Sequence, residues 1–146
     1  MRKFEIVSKY KNENITLPKR ATKDSAGYDF AAIKSETIKP GEIKLIFTGI
    51  KVIMPKNEVL MIFPRSSLSL KKGLMMSNGV GVIDSDYYNS KNEGHIMIPL
   101  YNFTSKNVQI EKGERIAQGI FTTFFKTIDE ETQFSIRLGG FGSSGK

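Results

Sequence analysis

The chain has 146 residues, no cysteine, one histidine and a formal net charge of +7. That length supports one domain burying roughly two-thirds of the surface its unfolded form exposes, and the lack of cysteine excludes disulfides, thiolate nucleophiles and zinc–sulfur sites. His95 alone cannot build a His-rich metal site, so carboxylates, hydroxyls, amides and cations are left to carry any chemistry.

The positive charge favours anionic partners such as a nucleotide or a phosphorylated metabolite. Lysines such as Lys3, Lys9, Lys34, Lys44 and Lys56 are scattered, however, and read as a solvated surface rather than a nucleic-acid patch. Met1–Ile6 lacks an apolar signal core, and no stretch approaches a membrane-spanning length. The expected protein is soluble and cytoplasmic, with no membrane and no nucleic-acid partner.

In chain order, Phe4–Val7 is a short apolar run that predicts a first strand, and residues 11–25, with Pro18, predict a loop. Ala26–Ala32 surrounds a lone carboxylate, Asp29, with small residues; alone it reads as a turn acid. After the Pro40-Gly41 turn signal, Ile43, Leu45 and Phe47 alternate with Lys44 and Thr48 as a half-buried strand. Gly49–Met54 and Val59–Phe63 are further strands, the second apolar on both faces and therefore central.

Pro64–Gly73 predicts the one short helix, with a serine cap at its start and Gly73 as its stop. Its first N–H groups, beside Arg65, make a weak anion-site signal. Ile96, Ile98 and Leu100 alternate as another strand, in which Pro99 implies an edge or a bulge. Val108–Gln118 reads as strand, turn, strand and runs on through Phe121–Phe125. Short strands with turn signals about every ten residues predict an all-β sandwich or jelly roll.

Asn78–Tyr88 is the stretch around which the rest is organised. Val80–Ile83 delivers Asp84 to a polar turn, with Asp86, Tyr87 and Tyr88 close behind. If the strand continues, Asp84 and Asp86 share a face; if it turns after Asp84, they part. At the far end, Gly140, Gly142 and Gly145 satisfy a G-x-G-x-x-G pattern, but no helix can follow them within the sequence, so neither a dinucleotide nor a Walker fingerprint is accepted. Glycine-rich backbone with Ser143, Ser144 and Arg137 remains able to cradle phosphate, and Phe141 is too large and apolar for an ordinary frayed end.

Five of these stretches, in fixed order, resemble the motifs of the trimeric dUTPase family. They are Ala26–Ala32, Pro64–Gly73, Asn78–Tyr87, Gly113–Phe121 and Arg137–Gly145, together spanning residues 26–145. Each is weak to moderate alone; five in order are strong. The resemblance implies a distorted jelly-roll homotrimer whose three active sites each draw on all three subunits. Residues 1–136 would form the domain and residues 137–146 a flexible arm closing over the site.

The implied reaction is dUTP + H2O → dUMP + pyrophosphate with Mg2+, limiting uracil incorporation into DNA and supplying dUMP for dTMP synthesis. Asp84 matches the family's general base and Asp86 a more structural carboxylate, directed with Ser85 away from the α-phosphate. Tyr87 matches the aromatic beneath the deoxyribose. Asn78, the backbone of Val82 and Ile83, and the neighbourhood of Met97 match the uracil slot. Arg65, Ser66, Ser67 and Gln118 match phosphate contacts. Asp29 resembles an acid that supports the metal site indirectly through water, the metal otherwise riding on the substrate phosphates. Arg137, Phe141, Gly142, Ser143 and Ser144 match the arm, with Phe141 stacking on uracil and the serines closing on the γ-phosphate.

The segment Tyr88–Glu93 departs from the family's tight link and lies beside the nucleoside pocket. Just after it, His95 is expected at the surface or a strand edge, with no catalytic part. Two rival functions share the fold's features: a dCTP deaminase-like bifunctional enzyme, which turnover of dCTP would reveal, and a non-catalytic regulatory protein that keeps the nucleotide pocket.

Overall fold

The computed structural model describes residues 1–130 and 137–142. Its strands are β1 (Lys3–Ile6), β2 (Lys19–Arg20), β3 (Tyr28–Ala31), β4 (Glu36–Ile38), β5 (Ile43–Ile53), β6 (Glu58–Pro64), β7 (Leu74–Met76), β8 (Gly81–Asp84), β9 (Ile96–Asn102), β10 (Val108–Ile110) and β11 (Arg115–Thr123). A five-stranded sheet runs β2-β3-β11-β6-β8, a four-stranded sheet runs β1-β5-β9-β7, and β10 pairs with β4. Every pairing is antiparallel. This is the predicted all-β jelly roll.

The core follows from period-two alternation. Along β9 the side chains of Ile96, Ile98, Leu100 and Asn102 all turn inward. They meet Phe30, Ile38, Ile46, Leu60, Ile62, Leu74 and Ile116, each with under 2% of its surface exposed. At roughly 1.5–3 kcal/mol per fully buried aliphatic side chain, this double layer supplies most of the drive to fold. Asn102 is tolerated there because its amide donates to the carbonyls of Ile38 and Lys106, each at 2.8 Å, and accepts from Thr104. As expected, β6 is central, lying between β11 and β8.

Three local expectations change in the folded chain. The two runs Ile43–Phe47 and Gly49–Met54 form a single strand of 11 residues. The glycine that separates them in sequence, Gly49 at φ +71°, absorbs a bulge where β5 shifts register against β9 between Phe47 and Ile50. Pro99 lies in an interior strand rather than at an edge: it faces Leu45 of β5, and its carbonyl accepts the Ser77 N–H at 3.0 Å just beyond the end of β7. Its missing N–H therefore falls where the β7 ladder has already stopped.

The short helix is also smaller than predicted. Pro64 ends β6, and only Leu68–Lys72 forms a helical turn. Ser67 precedes it without a side-chain capping bond, and Gly73 at φ +66° closes it. Two 3-10 turns, Ser8–Tyr10 and Ser85–Asn89, complete the helical content of the described residues. No helix among those residues is long and apolar enough to cross a membrane.

Candidate active site

Among the described residues, the strand β8 runs along an edge of its sheet, so one side of its main chain is not taken up there by a neighbouring strand. Opposite that edge lie β9 and the end of β7, and the gap between them is a slot of about 190 Å³. Seven residues expected from the sequence line it: Asn78, Val82, Ile83, Tyr87 and Met97 from the domain, and Arg137 and Phe141 from the arm. Ile62, Met76, Ile98 and Pro99, which no motif marked, add to its walls, as does Gly81 within the third motif. Gly81 is needed for its size, since a Cβ there would stand 3.1 Å from Cβ of Ile62.

At the end of β8 the chain turns into the 3-10 segment Ser85–Asn89 immediately after Asp84. The Asp84 side chain is 46% exposed and caps no backbone N–H. Turning separates the backbone of Asp84 from that of Asp86, yet both carboxylates converge on Arg137. Its Nη2 donates to Asp84 Oδ2 at 2.6 Å, and its Nε lies 2.8 Å from Asp86 Oδ1 without hydrogen-bond alignment. Here Asp84 and Asp86 share a cation without sharing a strand face.

Arg137 brings the rest of the described arm over the slot. Its guanidinium carbon lies 5.9 Å from the centre of the Tyr87 ring. Gly140 packs so closely on that ring that a Cβ would sit 2.9 Å from it. Phe141 lines the slot's mouth while 66% exposed. Gly142 follows at φ +92°, and Ser143 and Ser144 lie outside the described residues.

Tyr87 itself is buried, with its hydroxyl donating to the His95 carbonyl at 2.7 Å. The expected exposure of His95 is overturned: it is 3% exposed and sits between the rings of Tyr10 and Phe47. Its Nε2 accepts the Gly49 N–H at 2.9 Å, so the neutral imidazole secures the β5 bulge. Nothing in the local pattern marked this, because the groups that enclose His95 come from a 3-10 turn and a strand remote in sequence.

Burial, helped by the nearby Lys9 charge, lowers the His95 pKa from 6.5 to about 4. The sign follows directly. Above pH 6.5 the imidazole is neutral in both states and pH has no effect through it. Below 6.5 only the unfolded chain takes up the proton, so stability falls with pH until about 4, by on the order of 3 kcal/mol in all. Denaturant titration between pH 7 and 5 should show that fall in the native chain and a much flatter profile in His95→Gln. Equal slopes would remove His95 as the source.

The remaining expected residues gather elsewhere. Asp29 on β3 is flanked by Arg65 and Arg115, each 3.4 Å from a carboxylate oxygen. Gln118 on β11 lies opposite Asp29 and donates to the Pro64 carbonyl at 3.2 Å. The bare Cα of Gly27 makes room for it, since a Cβ would stand 2.3 Å from Gln118 Oε1. Arg65 and Ser67 also border a depression of about 340 Å³ shared with Lys71, Lys72 and Arg115, and Ser66 is exposed beside them. Sequence reading missed Lys71, Lys72 and Arg115 as members of this cationic cluster, although all three lie inside the motifs Pro64–Gly73 and Gly113–Phe121.

The cluster is built for an anion rather than for a bare cation. Asp29 is already flanked by two guanidinium groups, and no group of three His, Asp or Glu side chains is placed to hold a metal among the described residues.

The two groups of residues stand apart within one chain. Asp84 faces Val59 of β6, whereas Gln118 faces Phe63 of the same strand. Four residues of strand separate them by about 13 Å along its axis.

A jelly roll with a nucleoside-sized slot at one sheet edge and a cationic cluster at the other end of the same sheet defines a class of all-β nucleotide-handling folds. A family model described as dUTPase matches residues 13–145. The deoxyuridine 5'-triphosphate nucleotidohydrolase of Lactococcus lactis subsp. lactis (strain IL1403) is 52% identical over 99% of this chain and 98% of its own. The crystal structure of a dUTPase from Streptococcus mutans superposes with a TM-score of 0.81 at 47% identity, covering 85% of this chain and 97% of that one. A Staphylococcus bacteriophage 80alpha dUTPase solved with dUpNHpp gives 0.73 at 27% identity over 100% and 99% of the two chains. The chain belongs to the dUTPase family.

Proposed function

We propose that the protein hydrolyses dUTP to dUMP and pyrophosphate. The observation that carries this reading is the slot between the β8 edge and β9, lined by Tyr87, with Asp84 at the end of β8 in an adjoining depression that shares Arg137 with it. An edge strand offers rigid main-chain donors and acceptors, which suit the hydrogen-bonding rim of a uracil. Val82, 58% exposed, would contribute through its backbone beside Ile83, with Asn78 and Met97 completing the pocket. Rejection of the thymine methyl has to come from a steric wall, because one extra apolar carbon is poorly resolved by attraction alone.

In this reading Asp84 takes a proton from a water that attacks the α-phosphorus. The new bond forms between that oxygen and phosphorus, the bond to the bridging α–β oxygen breaks, and pyrophosphate leaves with the electron pair. Asp84 suits the task because it is half-exposed and free of capping duties. Arg65, Ser66, Ser67 and Gln118 would hold the phosphates, with Asp29 keeping Arg65 and Arg115 oriented. Asp29 would also support Mg2+ indirectly through water, the ion otherwise riding on the substrate phosphates, and when bound it would supply neutralisation of the charge that develops on the leaving group. Residues 137–146 act as an arm over the domain of residues 1–136: Phe141 stacks on the base, while Arg137, Gly142, Ser143 and Ser144 close on the phosphates.

The separation of Asp84 from Gln118 along β6 supports a shared site. A base must lie within hydrogen-bond reach of its water, and roughly 13 Å exceeds the reach of any side chain involved. Phosphate contacts from another copy of the chain would fill that gap, which fits a homotrimer with sites made between subunits. The product serves dTMP synthesis in the cytoplasm, and removal of dUTP keeps uracil out of DNA.

The test is pyrophosphate release in the presence of Mg2+ from dUTP, UTP, dTTP and dCTP in parallel. Release from dUTP alone is expected. Release from dCTP with ammonia would move the protein to the bifunctional deaminases, and silence on all four would leave a nucleotide-binding regulator.

A further inference from the structure

We propose that Asn92, carried by the Tyr88–Glu93 segment, is a positioning residue that commits the Tyr87 hydroxyl to the protein and thereby sets the preference for deoxyribose over ribose. The inference rests on the nucleoside slot assigned above and deepens it. The Tyr87 ring lines the slot, and its hydroxyl is used twice within the chain. It donates to the His95 carbonyl at 2.7 Å and accepts from Asn92 Nδ2 at 2.8 Å. A sugar resting on this ring finds no free donor on it. A ribose 2′-hydroxyl would lose water there without gaining a partner, a penalty that ranges from about fivefold upward in affinity.

Asn92 can do this because the segment around it is fastened at several points. Its Oδ1 accepts the Gly94 N–H at 3.1 Å, tying the amide plane to the backbone and fixing which end faces Tyr87. Gly94, at φ +75°, lies so near the Tyr87 and Tyr88 backbone that a Cβ would come within 2.8 Å of it. Between them Glu93 takes a left-handed conformation at φ +61°, unusual for a residue with a side chain.

The Glu93 carboxylate secures that turn by pairing with Lys51 at 2.8 Å and accepting from Ser8 Oγ at 2.7 Å. These contacts with Lys51 and Ser8 hold its pKa down to about 2. At the other end Tyr88 donates to Glu5 at 2.8 Å while the Lys51 ammonium lies 4.9 Å from its ring centre. The residues that lengthen the link between β8 and β9 are thus tied to β1 and β5, and what they deliver to the slot is the Asn92 amide.

The experiment is a double-mutant cycle with Asn92→Ala and Tyr87→Phe, read as kcat/KM for dUTP and UTP by pyrophosphate release and as Kd for dUMP and UMP by calorimetry. Asn92→Ala should lower the dUTP-to-UTP selectivity by at least about fivefold, mainly through a lower KM for UTP. It should have no further effect on selectivity in the Tyr87→Phe background, where the hydroxyl is gone. Unchanged selectivity in Asn92→Ala, with only a lower Tm, would reduce Asn92 to a loop support and overturn the proposal. Additive effects of the two changes would overturn it as well. Failure of the native chain to bind dUMP or turn over dUTP would instead remove the functional assignment, and this inference with it.

Discussion

Asp84→Asn is expected to reduce dUTP turnover by about 10²–10⁴-fold while leaving nucleotide binding and folding in place. The amide matches the carboxylate in shape but cannot take a proton from water. Folding should tolerate it because the side chain is 46% exposed and supports no helix cap. Its ion contact with Arg137 is shared with Asp86, so losing one charge leaves that cation a partner. Asp86→Asn provides the control: it removes an equally close carboxylate and should cost less than tenfold. Single-turnover hydrolysis together with dUTP titration separates the two steps. Full activity in Asp84→Asn would eliminate it as the base, and equal losses at both positions would point to charge near Arg137 rather than proton transfer.

Ending the chain at Ile136 is expected to lower kcat/KM for dUTP by about a hundredfold or more without unfolding the domain. Loss of the Phe141 stack alone accounts for roughly 1–3 kcal/mol, or up to about a hundredfold. The glycines and serines that follow, and Arg137, would add the loss of charge stabilisation on the phosphates. The domain should survive because its fully buried side chains, from Phe30 to Ile116, all lie before the arm. Within the described arm, Leu138, Phe141 and Gly142 are exposed. Size, circular dichroism and Tm would therefore match the native chain while turnover collapses. Near-native turnover in the truncated protein would show that the arm is dispensable.

The native contacts add a second readout to that experiment. With Arg137 present, a guanidinium pairs with both Asp84 and Asp86, and Gly140 covers the Tyr87 ring. Removing the arm uncovers that ring face, so a bound nucleoside should exchange faster even where its equilibrium affinity falls only moderately. The Arg137 contact with the proposed base was not legible beforehand. Sequence order placed Arg137 in a phosphate-binding arm, and only folding showed it across from a carboxylate 53 residues away.

Other elements divide in the same way. The alternation of Ile96, Ile98 and Leu100 predicted the inward face of β9, because a strand's two faces repeat every second residue and the signal is wholly local. The same local reading put Pro99 at an edge or a bulge, since the lost hydrogen bond was visible but the length of the neighbouring strand was not. It split β5 at Gly49, where a turn and a bulge leave similar marks in sequence. His95 was placed at the surface or a strand edge because it follows a polar segment, while its burial comes from Tyr10 and Phe47, 85 and 48 positions away.

By itself, the sequence determined the all-β class, most strands, the family and the residue types available for chemistry. These depend on short-range periodicity, turn residues and ordered motifs, all of which survive in one dimension. Tertiary structure alone decided that Asn92 would secure Tyr87, that Arg115 would join Arg65 beside Asp29, and that Asp84 and Gln118 would stand apart along β6. Those facts depend on strand register and on contacts between distant segments. A hydrogen bond or an ion pair acts over a few ångströms of space, whatever the length of chain between its partners.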